Sequence, residues 1–505
     1  TERAMASPLS LYFLLPLLVI VPLIYFNHTV CRRRRSAARL PPSPWALPVL
    51  GHLHHLAWDL PHRAMRDLAH RQGPLVLLRL GWLPVVVASS ADAAREIMVA
   101  RDVDFASRPI THMIRLINPE GGEGIMLSPY GDEWRQIRKI CTVELLSARR
   151  VQSFRPVRED EVGRLLRAVV TPGTPVNLSK LLAAYVADST VRTIIGSRFK
   201  DRDAFLTMLD RGIKLFAKAS LPDLYPSSRL AMLVSRRPRQ MKGHREEVDA
   251  FMDAIVLDHQ ENRAADDDED LLDVLLRIQQ KGDMQFPMSI ENIKSTIGDM
   301  FSGGSETAAT TLQWTMAELV RNPKVMHKAQ DEVRRVLAGH PKVTEDFLQN
   351  LEYMPLVIKE ALRLHPPGPL LLPRECRNDC QVLGFDVPKE TIVLVNVWAI
   401  SRDPTHWDAP DEFVPERFER SKVDFKGTDM EYTPFGAGRR MCPGVAFGLA
   451  NMTLALAGLL YHFDWEMPCG LGASELDMTE EMGVTVRLRH DLLLVPVVRV
   501  PVPVD

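Results

Sequence analysis

Cysteine is scarce in this chain. Six occur in 505 residues, with no C-x-x-C pair and no zinc-type spacing, which excludes a disulfide framework or a structural zinc site as the organising feature. Excess charge is lacking too: 62 Lys and Arg stand against 64 Asp and Glu, a formal net charge of -2, so the basic field of a nucleic-acid binder is missing. There is no internal repeat, and no composition break after residue 52 marks a second domain boundary. The acidic run 266–270 is short and reads as a solvated loop. No complete G-x-G-x-x-G follows a strand, so a built-in dinucleotide site is not indicated. Gly303-Gly304-Ser305 fails as a hydrolase elbow, because Thr307 stands where G-x-S-x-G needs glycine.

Apolar residues are plentiful at 46%, enough for a large core. Residues 9–30 (LSLYFLLPLLVIVPLIYFNHTV) match the length of a bilayer-spanning helix, kinked by Pro16 and Pro22. Four arginines, 32–35, follow directly, so the charge bias places the rest of the chain on the cytoplasmic side, with 1–30 as a retained anchor segment. Residues 31–52 form a basic, then Pro-rich linker (LPPSPWALPVLG), stiff enough to hold a domain near a membrane surface. Residues 53–505 read as one domain, mainly α with a minor β part. Two β runs around Gly81 in 74–89 suggest a hairpin, and short β runs recur at 381–386 and 391–397. Helical spacing covers 149–170, 289–321, 322–338 and 344–364, and a further helix is expected from Pro443 onward.

One stretch of the 289–321 helix runs against its surroundings. GDMFSGGSETAATTLQW (298–314) places Gly303 and Gly304 side by side, then Glu306 and Thr307, in an apolar helix. Each glycine costs a helix interior about 1 kcal/mol against alanine, and a carboxylate there needs a partner or water.

Near the C-terminus, Cys442 is followed by Pro443, Gly444 and a helix-forming run. Pro443 suits a first helical position, so Cys442 should lie at a helix N-terminal edge, where N–H groups and the dipole favour a thiolate. The pattern F-x-x-G-x-R-x-C-x-G, matched by Phe435, Gly438, Arg440, Cys442 and Gly444, closely resembles the haem-thiolate signature of the cytochrome P450 family. Glu360 and Arg363 match that family's E-x-x-R, Arg417 its second arginine motif, and Trp134 and Arg138 its W-x-x-x-R. Residues 303–308 match its A/G-G-x-D/E-T-T/S, except that Ala308 replaces the last hydroxyl residue. The likeness runs from the Pro-rich linker to EEMGVTV (480–486) and is nearest to plant microsomal members of the large family 71-like group for specialised metabolism.

The resemblance implies the P450 fold, preceded by one N-terminal transmembrane helix, and haem b with Cys442 as the iron ligand. Trp134, Arg138, Arg374 and Arg440 would serve the propionates, and Glu360, Arg363 and Arg417 would form a buried network bracing the haem-side loop. Glu306 and Thr307 would deliver protons for O–O cleavage, which thiolate donation also favours. The glycines would make room for dioxygen, with a local widening of the helix satisfied by water or Thr307. The implied reaction inserts one atom of O2 into a lipophilic small molecule, a terpenoid or phenolic. Electrons would come from NADPH through a separate NADPH-cytochrome P450 reductase, at the endoplasmic reticulum membrane. Lys139, Arg149, Arg150 and Arg439 are candidate reductase contacts, and residues 110–126, 300–307, 367–372 and 482–485 should face substrate. Two other readings use the same haem: a P450-fold isomerase or dehydratase needing no external electrons, and a non-catalytic haem-binding membrane protein.

Overall fold

The computed structural model describes residues 39–117, 124–170, 174–196, 202–216, 220–262 and 269–503; the expected membrane span and its arginine flank lie outside them. Helices dominate, and the β part among the described residues is confined to small sheets. The expected hairpin pairs Leu75–Leu80 with Leu83–Ala88 antiparallel, Leu75 opposite Ala88, and turns through Gly81 at φ +63°. Val85 to Ala88 are all buried, because this strand is covered on both faces and also pairs, in parallel, with Ile392–Val395. The edge strand Arg374–Glu375 completes the sheet.

The central helix, Ile290–Arg321, starts at a reciprocal cap between Ser289 and Asn292 and stops at Asn322, just before Pro323 opens the next helix, Pro323–Val336. It packs against Leu178–Ile195 and against Val445–His462. Trp314, Met316, Ala317, Leu319, Leu456 and Leu460 are among the residues sealed in the resulting core. Val445–His462 is long and apolar enough to cross a bilayer, yet 67% of it is buried as a core helix.

Three helical segments differ from their expected bounds. The 149–170 segment divides into Ala148–Ser153 and Arg155–Val169, the second with Pro156 in its first turn, where a missing N–H costs nothing. The 344–364 segment divides into Glu345–Leu348 and Tyr353–Leu364. The carboxylate of Glu332 accepts the Glu352, Tyr353 and Met354 N–H groups at 2.8, 2.8 and 3.0 Å, which starts the second helix there. The last helix begins at Val445 with Gly444 as its cap, so Pro443 precedes the helix instead of opening it.

Candidate active site

The loop holding Cys442 closes on itself: the Cys442 N–H donates to the Phe435 carbonyl at 2.9 Å. Phe435 stands edge-on to Phe425, with ring centres 5.4 Å apart. Gly438 has φ +68°, and a Cβ there would lie 2.1 Å from the Met98 carbonyl oxygen, so this position admits only glycine. Cys442 is accessible although chain surrounds it closely, the situation of a group on the floor of a recess. Burial pushes its thiol pKa up, while the Gly444 N–H and the Arg138 charge pull it back. A Cβ on Gly444 would stand 3.8 Å from the sulfur, so backbone lies close beneath it.

Cations surround this loop. Arg138 donates to the Met441 carbonyl, tying the helix Asp132–Ile140 to the residue before the cysteine. Arg440 donates to the carbonyls of Ala106, Ile125 and Ser128 at 2.6, 3.2 and 2.6 Å, and its guanidinium lies 3.9 Å from the Trp134 ring centre. The Trp134 indole also donates to the Ile125 carbonyl, at 3.0 Å. Arg374 donates to the Ala437 carbonyl at 2.9 Å and pairs with Asp102 at 3.5 Å.

Two further residues belong here that sequence reasoning missed. Arg108, only 6% exposed, donates to the carbonyls of Met126, Leu372 and Pro373. Burial pushes its pKa well below the guanidinium range, repulsion from Arg440 and Arg374 adds to this, and Asp299 offsets only part. Asp299, on the central helix, accepts the Met126 N–H at 2.8 Å, and burial raises its pKa to about 6. A Cβ on Gly124 would come within 2.2 Å of its carboxylate. The central helix and the Cys442 loop therefore grip one segment, 125–128, from two sides. A charged residue inside the apolar-flanked stretch Phe105-Ala-Ser-Arg-Pro109 was the sole sequence signal for Arg108.

The two central-helix glycines play different parts. A Cβ on Gly304 would meet the Thr190 methyl at 3.1 Å, so Gly304 serves close packing on Leu178–Ile195, whereas Gly303 opens on free space. The helix stays regular α through both, and the expected widening is absent. Thr307, exposed, donates to the Gly303 carbonyl at 2.7 Å as an added bond, not a replacement. Glu306 is held from outside the helix: Thr485 Oγ1 donates to its Oε1 at 2.7 Å, while its Oε2 is buried without a partner. Ala308 is buried at 5% exposure, on the core side.

Glu360, Arg363 and Arg417 do assemble. Arg363 Nε and Nη2 grip the two Glu360 oxygens at 2.8 Å each, and Arg417 Nε reaches Oε1 at 2.9 Å. The remaining guanidinium N–H groups hold the carbonyls of Ser401, Asp408, Pro410 and Glu412. With both Glu360 and Arg363 at 0% exposure, this buried pair is fully hydrogen-bonded and fixes the chain that leads to the Cys442 loop.

Haem fits these residues. A lone accessible sulfur with a cation and an N–H beside it suits an iron ligand. Buried guanidiniums that outnumber the carboxylates among them, Asp102 and Asp299, and repel one another, suit two propionates. The cytochrome P450 family model matches residues 41–492. The chain is 47% identical to desmethyl-deoxy-podophyllotoxin synthase of Sinopodophyllum hexandrum (91% of this chain, 92% of that protein). It is 46% identical to dolabradiene monooxygenase of Zea mays (91% and 92%) and 43% identical to cytochrome P450 71D11 of Lotus japonicus (93% and 97%). A solved zebra fish cytochrome P450 with abiraterone superposes at TM-score 0.75 with 25% identity, over 87% of this chain and 99% of that one. The chain belongs to the cytochrome P450 family, as a plant family 71-like monooxygenase whose cofactor is haem iron.

Proposed function

We propose that this monooxygenase oxidises a terpenoid or phenolic specialised metabolite, with electrons from NADPH passed through a separate NADPH-cytochrome P450 reductase. When bound, haem supplies the activation of dioxygen and the insertion of one of its atoms. The chain's own part is acid–base and positional. Cys442 offers the thiolate, with Arg138 and the Gly444 N–H favouring its charge. Thr307 Oγ1 spends its proton on the Gly303 carbonyl, so its lone pairs remain to accept a hydrogen bond from a proton donor at the site. Glu306 keeps one oxygen on Thr485 and the other free to hold or release a proton.

This acid–threonine arrangement carries the reading, and it favours dioxygen chemistry over the isomerase or dehydratase alternative, in which that pair is often missing. The substrate class is supported by two relatives, named for a podophyllotoxin-type product and for dolabradiene. Accessible apolar side chains at Ile110, Leu372 and Val484 agree with a lipophilic substrate.

Attachment to the cytoplasmic face of the endoplasmic reticulum through residues 9–30 fits one further feature. Val49 and Leu50 within the linker, and Trp82 and Leu221 outside it, are exposed apolar residues on segments joined by Gly81 N–H to Leu50 and Trp82 N–H to Leu224 carbonyl bonds. Lys139, Arg149 and Arg439 are exposed and Arg150 half-buried, and Arg439 and Lys139 adjoin Arg440 and Arg138, so all four remain the candidate reductase contacts.

The test is Thr307→Ala with purified reductase and a verified substrate. Haem content and substrate affinity should hold while product per NADPH falls about tenfold and peroxide rises, a change equal to roughly 1.4 kcal/mol of barrier. Full coupling in the variant would refute the proton-delivery role.

A further inference from the structure

Cys376 and Cys380 stand at the two ends of the loop between the strands Arg374–Glu375 and Cys380–Val382, and their sulfur atoms are 3.6 Å apart. Sequence spacing concealed this, because i and i+4 in a loop carry no distance. The fold imposes the proximity through bonds that do not involve the sulfurs. The Cys376 N–H donates to the Thr391 carbonyl at 2.9 Å, and its own carbonyl accepts the Glu390 N–H at 2.7 Å. Cys380 is held in the ladder opposite Val387. Between them, the Arg377 N–H donates to the Asp104 carbonyl at 2.8 Å, Asn378 to the Asp104 side chain at 3.2 Å, and the Lys389 N–H to Asp379 at 2.7 Å. Cys376 is buried and Cys380 half-buried, so one sulfur is reachable and the other waits beneath it.

We propose that Cys376 and Cys380 form a peroxide-oxidisable dithiol that closes reversibly to a disulfide within this loop. Cys380 is the attacking sulfur. The contact between the two sulfurs holds the Cys380 pKa down and, with burial, holds Cys376 up, while the Cys376 thiol donates to the Asn378 carbonyl at 2.9 Å. The Cys380 thiolate attacks one oxygen of hydrogen peroxide; the O–O bond breaks, a sulfenic acid forms, and hydroxide leaves to be protonated as water. The Cys376 sulfur then attacks the sulfenic sulfur; the S–S bond forms, the S–O bond breaks, and the Cys376 proton leaves with the hydroxyl as a second water. Two electrons pass from the thiols to peroxide. Bringing the sulfurs from 3.6 Å to a bonded separation of about 2.05 Å is a shift within reach of side-chain rotation.

The position gives the chemistry a local consequence. The loop leans on Asp104, two residues from the Asp102 that pairs with Arg374 and Arg439, and Cys376 is two residues from Arg374 itself. Closing the loop therefore ties down the outer side of the guanidinium cradle.

The experiment treats the full-length ferric protein with equimolar hydrogen peroxide, blocks free thiols under denaturing conditions and maps tryptic peptides by mass. Arg377 lies between the two cysteines, so trypsin separates residues 375–377 from 378–389 in the reduced protein, whereas a disulfide keeps them together. The linked species should appear with peroxide and vanish on reduction, and Cys376→Ala should stop at a dimedone-trappable sulfenic acid on Cys380. Recovery of both peptides fully alkylated, or of Cys380 overoxidised beside an alkylated Cys376, would overturn the proposal. The wild-type map alone decides if the variant fails to fold, and neither result depends on substrate turnover.

Discussion

Thr485 Oγ1 donates to Glu306 Oε1 at 2.7 Å, linking residues 179 positions apart, and the same hydroxyl lies 3.1 Å from Thr310 Oγ1. Because Thr485 has one proton and gives it to the carboxylate, Thr310 must be the donor in the second contact. The acid of the central helix is thus aimed by a loop from the opposite wall.

Removing that aim should cost coupling while sparing the fold. Thr485→Val removes a hydrogen bond to a charged group, of order 1.5–3 kcal/mol, and should lower product per NADPH several-fold with haem content unchanged; Thr485→Ser should restore it. Equal coupling in Val and Ser variants would separate Thr485 from proton delivery.

The loop bearing Thr485 lies between strands Glu480–Met482 and Val486–Leu488, and Glu480 fixes that hairpin to His62 and Arg63 at 3.2 and 2.9 Å. Burial pushes the Glu480 pKa up, but the His62 bond and charge, then Arg63, hold it down at about 2. A depressed carboxylate contributes stability that is present above its unfolded value near 4.5 and lost as pH falls toward 2. Glu480→Gln should cost on the order of 3 kcal/mol at neutral pH. The wild-type advantage in thermal midpoint should shrink between pH 4.5 and 2. A pH-independent difference across that window would contradict the assignment.

Gly303→Ala and Gly304→Ala should move stability in opposite directions. At 303 the added methyl enters open space, so the helix gains up to about 1 kcal/mol. At 304 it meets Thr190, which is 1% exposed and pinned to the Val186 carbonyl, and overpacking of about 1–3 kcal/mol outweighs that gain. Thermal midpoints of the two variants read the order directly, and Gly303→Ala should also slow carbon monoxide binding.

Arg108→Leu should weaken haem retention despite a conservative volume, since it removes a cation from the cradle and frees the Met126, Leu372 and Pro373 carbonyls. Haem transfer to apomyoglobin should accelerate several-fold. An unchanged transfer rate would exclude Arg108 from the cofactor site.

What was legible in advance were features carried by contiguous spacing: the Cys442 loop, the Glu360 and Arg363 pair on one helix turn, the Glu306-Thr307 dipeptide, and the hairpin around Gly81. What was hidden was assembled across the chain. Arg108 needed residues 126 and 372 beside it, Asp299 needed Gly124, Glu306 needed Thr485, and the Cys376–Cys380 approach needed a sheet edge on each side. Even Trp134, found by spacing with Arg138, stacks under Arg440 instead. The two glycines looked like one feature and are two, because helix neighbours 100° apart face different surroundings.

The central claim is that Cys442 is the iron ligand of a haem-thiolate monooxygenase. The most direct measurement is the ferrous carbon monoxide difference spectrum of the full chain and of Cys442→Ser at matched protein concentration. The account predicts the red-shifted Soret band of a thiolate-ligated haem in the wild type and its loss in the variant. The same band in Cys442→Ser, or its absence from haem-loaded wild type, would contradict it.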